Sequence, residues 1–135
     1  MLIETNGMNH VAISVPSIEE TVTWYSEIFG FTVVKYSEIP TTGIKVCHMQ
    51  CNGFQLEIFQ HPQAAPLPEN RLYPHTDFAV HGQKHFCMGV KDGKLTKEKL
   101  ENAGIEIVLI GTVDDTYAIF IRDNSGILVE LYEEK

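Results

Sequence analysis

Hydrophobic and polar positions alternate along this chain in short runs, broken by two stretches with helical spacing. Val11, Ile13 and Val15 alternate with His10, Ala12 and Ser14, the period of a strand that buries one face. Ile18, Val22, Tyr25, Ile28 and Phe29 then fall on one side of a helix. Ser17 and Glu20 make a capping box at its start, and Gly30 offers a left-handed stop at its end. Strands are predicted at roughly 31–38, 44–50 and 53–60.

The pattern then begins again. Asn9–Val15 reads NHVAISV and Lys84–Val90 reads KHFCMGV, each a His followed by alternation that ends in Val five positions on. A second helix is expected with Thr96 as N-cap, Leu95 and Leu100 as a hydrophobic staple, and Gly104 as the stop. Strands follow at roughly 105–110, 116–122 and 126–132. Asn52-Gly53 and Ser125-Gly126 mark hairpins before the last strand of each half. Those last strands read Phe54-Gln55-Leu56-Glu57-Ile58 and Ile127-Leu128-Val129-Glu130-Leu131. Glu57 stands 47 residues after His10, and Glu130 stands 45 after His85. The halves share this order and spacing rather than residue identity. Each reads as strand, helix and three strands, an α+β unit written twice.

Between the copies, His61–Gln83 holds Pro62, Pro66, Pro68 and Pro74 and has little periodicity. A connection of that length is either a functional lid or a disordered tether. The organisation expected is one domain over residues 1–135, with a first module at about 8–61, a linker at about 62–82 and a second module at about 83–134.

Alternation also sorts the side chains by face. Val11, Ile13, Val15, Phe54, Leu56 and Ile58 in the first module make an apolar face suited to packing under a helix. Phe86, Met88, Val90, Ile127, Val129 and Leu131 do so in the second. The opposite faces carry His10, Glu57, His85 and Glu130 among small or polar residues. Two imidazoles and two carboxylates converging from equivalent strands suit a divalent metal ion: zinc, nickel, cobalt, iron or manganese. On a six-coordinate ion such a set leaves positions open for a substrate. His48, His61, His75 and His81 have no partner in the other copy and are expected on the surface or in loops. Cys87 shares the face of His85 and reads as a small space-filling thiol. Arg71, His75 and Lys84 read as solvated loop residues.

Composition narrows the setting. The chain has 135 residues and a net charge of -8, with 44% hydrophobic residues, an ordinary balance for a globular domain. The acidic balance argues against nucleic acid as a partner. No apolar run reaches the length of a membrane helix, so no membrane partner is expected. The odd count of three cysteines and the lack of a signal-peptide pattern at Met1–Asn9 make a cytoplasmic setting the default.

His10-Val11-x-Ile13-x-Val15, Trp24-Tyr25 and Phe29-Gly30-Phe31 resemble the opening signature of glyoxalase I. Phe120-x-x-Asp123-x-x-Gly126-x-x-x-Glu130 resembles its close. The chain thus resembles the vicinal oxygen chelate superfamily, which includes glyoxalase I, methylmalonyl-CoA epimerase, extradiol dioxygenases and bleomycin or fosfomycin resistance proteins. The resemblance spans residues 8–134 and is nearest to glyoxalase I. It implies paired βαβββ modules forming a cupped mixed eight-stranded sheet, with helices on the outer face. It also implies metal ligation by His10, Glu57, His85 and Glu130, and a homodimer. The implied reaction is that of a metal-dependent lyase or isomerase acting on a small substrate with vicinal oxygens through an enediolate. In that reaction Glu130 or Glu57 moves the proton, with Glu130 favoured by analogy. Phe120 stands where extradiol dioxygenases carry a Tyr, which disfavours ring cleavage. Ser14 and His61 replace an Arg and an Asn associated with glutathione, which argues against glutathione as cosubstrate. The alternative of another class is a resistance protein that binds a small molecule or transfers a thiol to it.

Overall fold

The alternating runs form strands because each has one face to bury. The computed structural model describes Met1–Lys135, the side chain of Val113 excepted, and the chain divides into two units, Met1–Ala65 and Pro66–Lys135. In the first unit β1 (Val11–Ser14), β2 (Thr32–Ile39), β3 (Ile44–Cys51) and β4 (Phe54–Gln60) make one sheet in the order β1-β4-β3-β2. In the second, β5 (Phe86–Val90), β6 (Ile107–Val113), β7 (Thr116–Arg122) and β8 (Leu128–Glu133) repeat that order as β5-β8-β7-β6. β1 runs parallel to β4 and β5 parallel to β8, while the remaining pairs are antiparallel. All eight expected strands are present, four in each of two mixed sheets.

Each parallel pair needs a crossover, and a helix supplies its first part. Helix α1 (Ile18–Phe29) starts as its capping box requires: the Ser17 hydroxyl accepts the Glu20 N–H at 3.2 Å. It ends at Gly30, whose φ of 75° is the left-handed conformation a side chain resists. α1 packs on β2, β3 and β4. There Tyr25, fully buried, meets Phe31 edge-on at 5.6 Å between ring centres. Met49, Leu56 and Ile58 close the same core with no exposed surface. Each such side chain contributes about 1.5–3 kcal/mol on burial.

The second crossover helix corrects one expectation. Helix α3 (Gly93–Asn102) is capped by Asp92, whose carboxylate accepts the Leu95 N–H at 2.8 Å. Thr96 lies inside the helix and turns its hydroxyl back to the Asp92 carbonyl. An ionised carboxylate is the stronger acceptor for free helical N–H groups, so the start moves upstream of the Thr. With Thr96 inside the helix the proposed staple has no role, and Leu95 is exposed. Ile119, Ile121, Val129 and Leu131 form the core of this unit beneath α3.

The proline-rich stretch is neither a bare tether nor a run of solvated cations. A 3-10 turn (Glu69–Arg71) and a short helix α2 (Pro74–Asp77) surround Asp77, a carboxylate only 1% exposed. Arg71 Nε donates to its Oδ1 at 2.9 Å, and Lys84 Nζ reaches the same oxygen at 3.3 Å. Arg71 also donates to the Gln83 carbonyl, and Lys84 to the carbonyls of Asp77 and Val80. A buried charge persists only with such partners.

Candidate functional site

Strand register decides which side chains of each unit can meet. In the first unit Ala12 of β1 stands opposite Glu57 of β4. His10, two residues before Ala12, therefore shares the face of Glu57. In the second unit Cys87 of β5 stands opposite Glu130 of β8, and His85 precedes Cys87 by two. The same parallel pairing thus delivers one His and one Glu to one face, twice. His10 Nε2 lies 3.6 Å from Glu57 Oε1, and His85 Nε2 lies 2.9 Å from Glu130 Oε2. The sequence named these four residues, and the structure brings them together as two pairs, one in each unit.

Nitrogen and oxygen donors about 2.1 Å from one ion, at right angles, stand about 3 Å apart. Both pairs have about that spacing. His10 adds a chemical reason. Its Nδ1 is 2.7 Å from Asn9 Oδ1, an acceptor, so Nδ1 carries the proton. Nε2 is left with its lone pair turned towards a carboxylate oxygen, an arrangement that suits a cation between them. Within each unit, the donor chemistry and spacing of the pair suit two ligands of a divalent ion. Among the described residues, no cluster of three or more His, Cys, Asp or Glu is already gathered to hold one.

The surroundings of the two pairs differ. His48, expected on the surface or in a loop, sits on β3 directly across from Glu57, and its Nε2 donates to Glu57 Oε2 at 2.8 Å. Its ring centre lies 6.0 Å from that of His10. In the second unit the corresponding residue across from Glu130 is Phe120, which is buried and meets the His85 ring edge-on at 4.8 Å. Phe78, at the end of α2, adds a second ring 6.2 Å from His85. His85 Nδ1 is buried, and no described group reaches it. Cys87 lies beside Glu130. Its thiol is pushed up to about 12 by burial and then by the Glu130 charge, so it stays protonated at neutral pH.

Asn9, His48 and Phe78 are the residues that sequence reasoning missed. His48 was legible in principle: β3 runs antiparallel to β4 through the two-residue Asn52-Gly53 turn, and counting back from it pairs position 48 with position 57. Asn9 stood next to the His it orients. Phe78 carried no signal, because its place depends on the Asp77 clasp.

Comparisons with known proteins bear on the family and the fold. A family model described as "Glyoxalase/Bleomycin resistance protein/Dioxygenase superfamily" matches residues 7–131. Human mitochondrial methylmalonyl-CoA epimerase is 26% identical over 129 residues, covering 92% of this chain and 72% of its own. A glyoxalase family protein from Enterococcus faecalis has a similar structure, with a TM-score of 0.78 and 25% identity over 95% of this chain and 98% of the other. A trypanothione-dependent glyoxalase I from Leishmania major shares the fold, with a TM-score of 0.74 and 17% identity over 96% of this chain and 88% of the other.

Proposed function

This chain belongs to the glyoxalase/bleomycin resistance protein/dioxygenase superfamily, and from that premise we propose that it is a metal-dependent isomerase or lyase. It moves a proton at a carbon next to a carbonyl in a small substrate with neighbouring oxygens. The observation that carries the reading is the repeated His–Glu pair at equivalent strand positions. His10, Glu57, His85 and Glu130 would hold the ion. When bound, a divalent metal supplies Lewis acidity to two substrate oxygens and so makes the neighbouring carbon more acidic. Glu130 takes up the proton and returns it, as a positioned carboxylate can. Phe120 and Phe78 pack their rings against His85 and help to hold its imidazole in place. Asn9 keeps His10 in the tautomer that offers Nε2.

The similarity to an epimerase favours isomerisation by removal and return of a proton, so the first substrate to offer is methylmalonyl-CoA, with hemithioacetals beside it. Each is incubated in deuterium oxide with nickel, cobalt, zinc or manganese, and deuterium at the acidic carbon is followed by mass spectrometry. Metal-dependent exchange supports the proposal. Tight binding without exchange under any metal overturns it in favour of a small-molecule-binding resistance protein. The proposal includes a homodimer, tested by sedimentation velocity of the intact chain.

A further inference from the structure

We propose that His48 is a positioning residue that clamps Glu57, so that the two glutamates of the repeated pair do different work. The inference rests on the reading of His10, Glu57, His85 and Glu130 as a metal site. Glu57 has two oxygens with different neighbours. Oε2 accepts from His48 Nε2 at 2.8 Å, while Oε1 faces His10 Nε2 at 3.6 Å. An ionised carboxylate only accepts hydrogen bonds, so the proton of this contact sits on His48 Nε2. The contact spans directly opposed residues of an antiparallel pair, where side chains have little freedom to separate. Both side chains are largely covered, at 30% exposure for His48 and 18% for Glu57. The carboxylate is thus fixed about its long axis, with Oε1 presented to the ion and Oε2 engaged. Glu130 has no histidine on the antiparallel strand beside it, because Phe120 fills the corresponding place and its ring cannot accept or donate in the same way. Glu57 thus keeps a hydrogen bond to a group outside the four proposed ligands, whereas Glu130 is held at 2.9 Å by His85, itself a proposed ligand, and by the Cys87 thiol.

Two variants and two readouts test this. His48→Phe gives the first unit the residue the second already has, and His48→Gln keeps an N–H donor for Glu57. Cobalt(II) is titrated into each apoprotein and followed by its visible absorption. The ring nitrogens of His48 are observed by long-range proton–nitrogen NMR without metal. In the wild type the NMR spectrum is expected to show the Nε2-protonated tautomer, perturbed on Glu57→Gln. His48→Phe is expected to weaken cobalt binding about 10-fold or more and alter its spectrum, and His48→Gln to restore most of the affinity. Cobalt bound by His48→Phe as tightly as by the wild type, with the same spectrum, would overturn the clamp and leave the four-ligand reading intact. A wild type that binds no divalent metal would overturn that reading and the purpose of the clamp together. The NMR spectrum would still report whether His48 and Glu57 touch, which keeps the two failures apart. An averaged His48 tautomer in the wild type removes the clamp whatever the metal does.

Discussion

The two units use one plan with opposite finishes. Each brings a His from its first strand to a Glu on its last, through the same parallel register. In the first unit polar groups set the pair: Asn9 on His10, and His48 on Glu57. In the second, rings do so: Phe120 and Phe78 against His85. Glu57 is held by His48, a group outside its pair, whereas Glu130 is held at 2.9 Å by His85, its own partner. The repeat supplies two equivalent His–Glu pairs, and the single position across the sheet from each Glu, 48 or 120, gives them different neighbours.

The largest expected effect comes from replacing the two glutamates in turn. Glu130→Gln is expected to lower turnover by about 10³-fold, the scale of general acid–base catalysis. Glu57→Gln is expected to act first on metal affinity, with turnover largely recovered at saturating metal. Metal content by elemental analysis and proton exchange in deuterium oxide, measured separately, check both. Equal losses of turnover at full metal loading would break the asymmetry.

The next effect concerns a part the first unit has no counterpart for. Asp77→Ala leaves Arg71 and Lys84 facing a space built for a charge, and breaking a buried pair in this way costs about 3 kcal/mol. Urea denaturation is expected to show that loss. Phe78 follows Asp77 directly, so the environment of His85 is expected to change as well, visible in its ring NMR shifts. Asp77→Asn tests charge against shape and is expected to fall between.

How much of this was legible in the sequence follows from what each feature depends on. The strands, α1 and the four His and Glu residues depend on local periodicity and on a pattern written twice, and both survive in one sequence. The cap of α3 was misplaced because Thr96 and Leu95 gave a plausible local signal. The repeat held the answer, since Ser17 follows His10 by seven residues and Asp92 follows His85 by seven. His48 was missed for the opposite reason: a search for symmetry discards a residue that breaks it. The Asp77 clasp depends on Arg71, Asp77 and Lys84 meeting around a turn, and no periodicity encodes that.

A smaller effect separates the hairpins that join the second and third strands of each unit. The first unit turns through residues 40–43, where Gly43 takes a φ of 71°. The second turns through Asp114 and Asp115, at φ 51° and 60°, between the paired Val113 and Thr116. Left-handed backbone is costly for a residue with a side chain, though least so for Asn and Asp. Asp115→Gly is expected to stabilise the chain by up to about 1 kcal/mol, read from the urea midpoint. A loss of stability would mean that the Asp side chain makes up for its strained backbone.

The smallest effect tests the same comparison through pH. The first helical N–H of α1, on Ile18, donates to Gln60 Oε1 at 2.8 Å. The first of α3, on Gly93, donates to Glu133 Oε1 at 3.0 Å, and Tyr117 N–H reaches the other oxygen at 3.2 Å. Gln60 and Glu133 each lie three residues past the Glu of their pair, so one joint is built twice, once neutral and once charged. The Gly93 N–H, followed by the Tyr117 N–H, holds the Glu133 carboxyl below its ordinary value. A depressed folded-state value stabilises the fold above the unfolded carboxylate's titration, and that contribution is lost as pH falls through the folded value. The second unit's joint should therefore weaken in acid and the first unit's should not. Glu133→Gln is expected to be slightly less stable than the wild type at neutral pH, with the gap closing as pH falls below the carboxylate range. Hydrogen exchange at Gly93 and Ile18 reads each joint directly. Equal acid sensitivity at both amides would show that the charge on Glu133 does nothing the Gln60 amide does not.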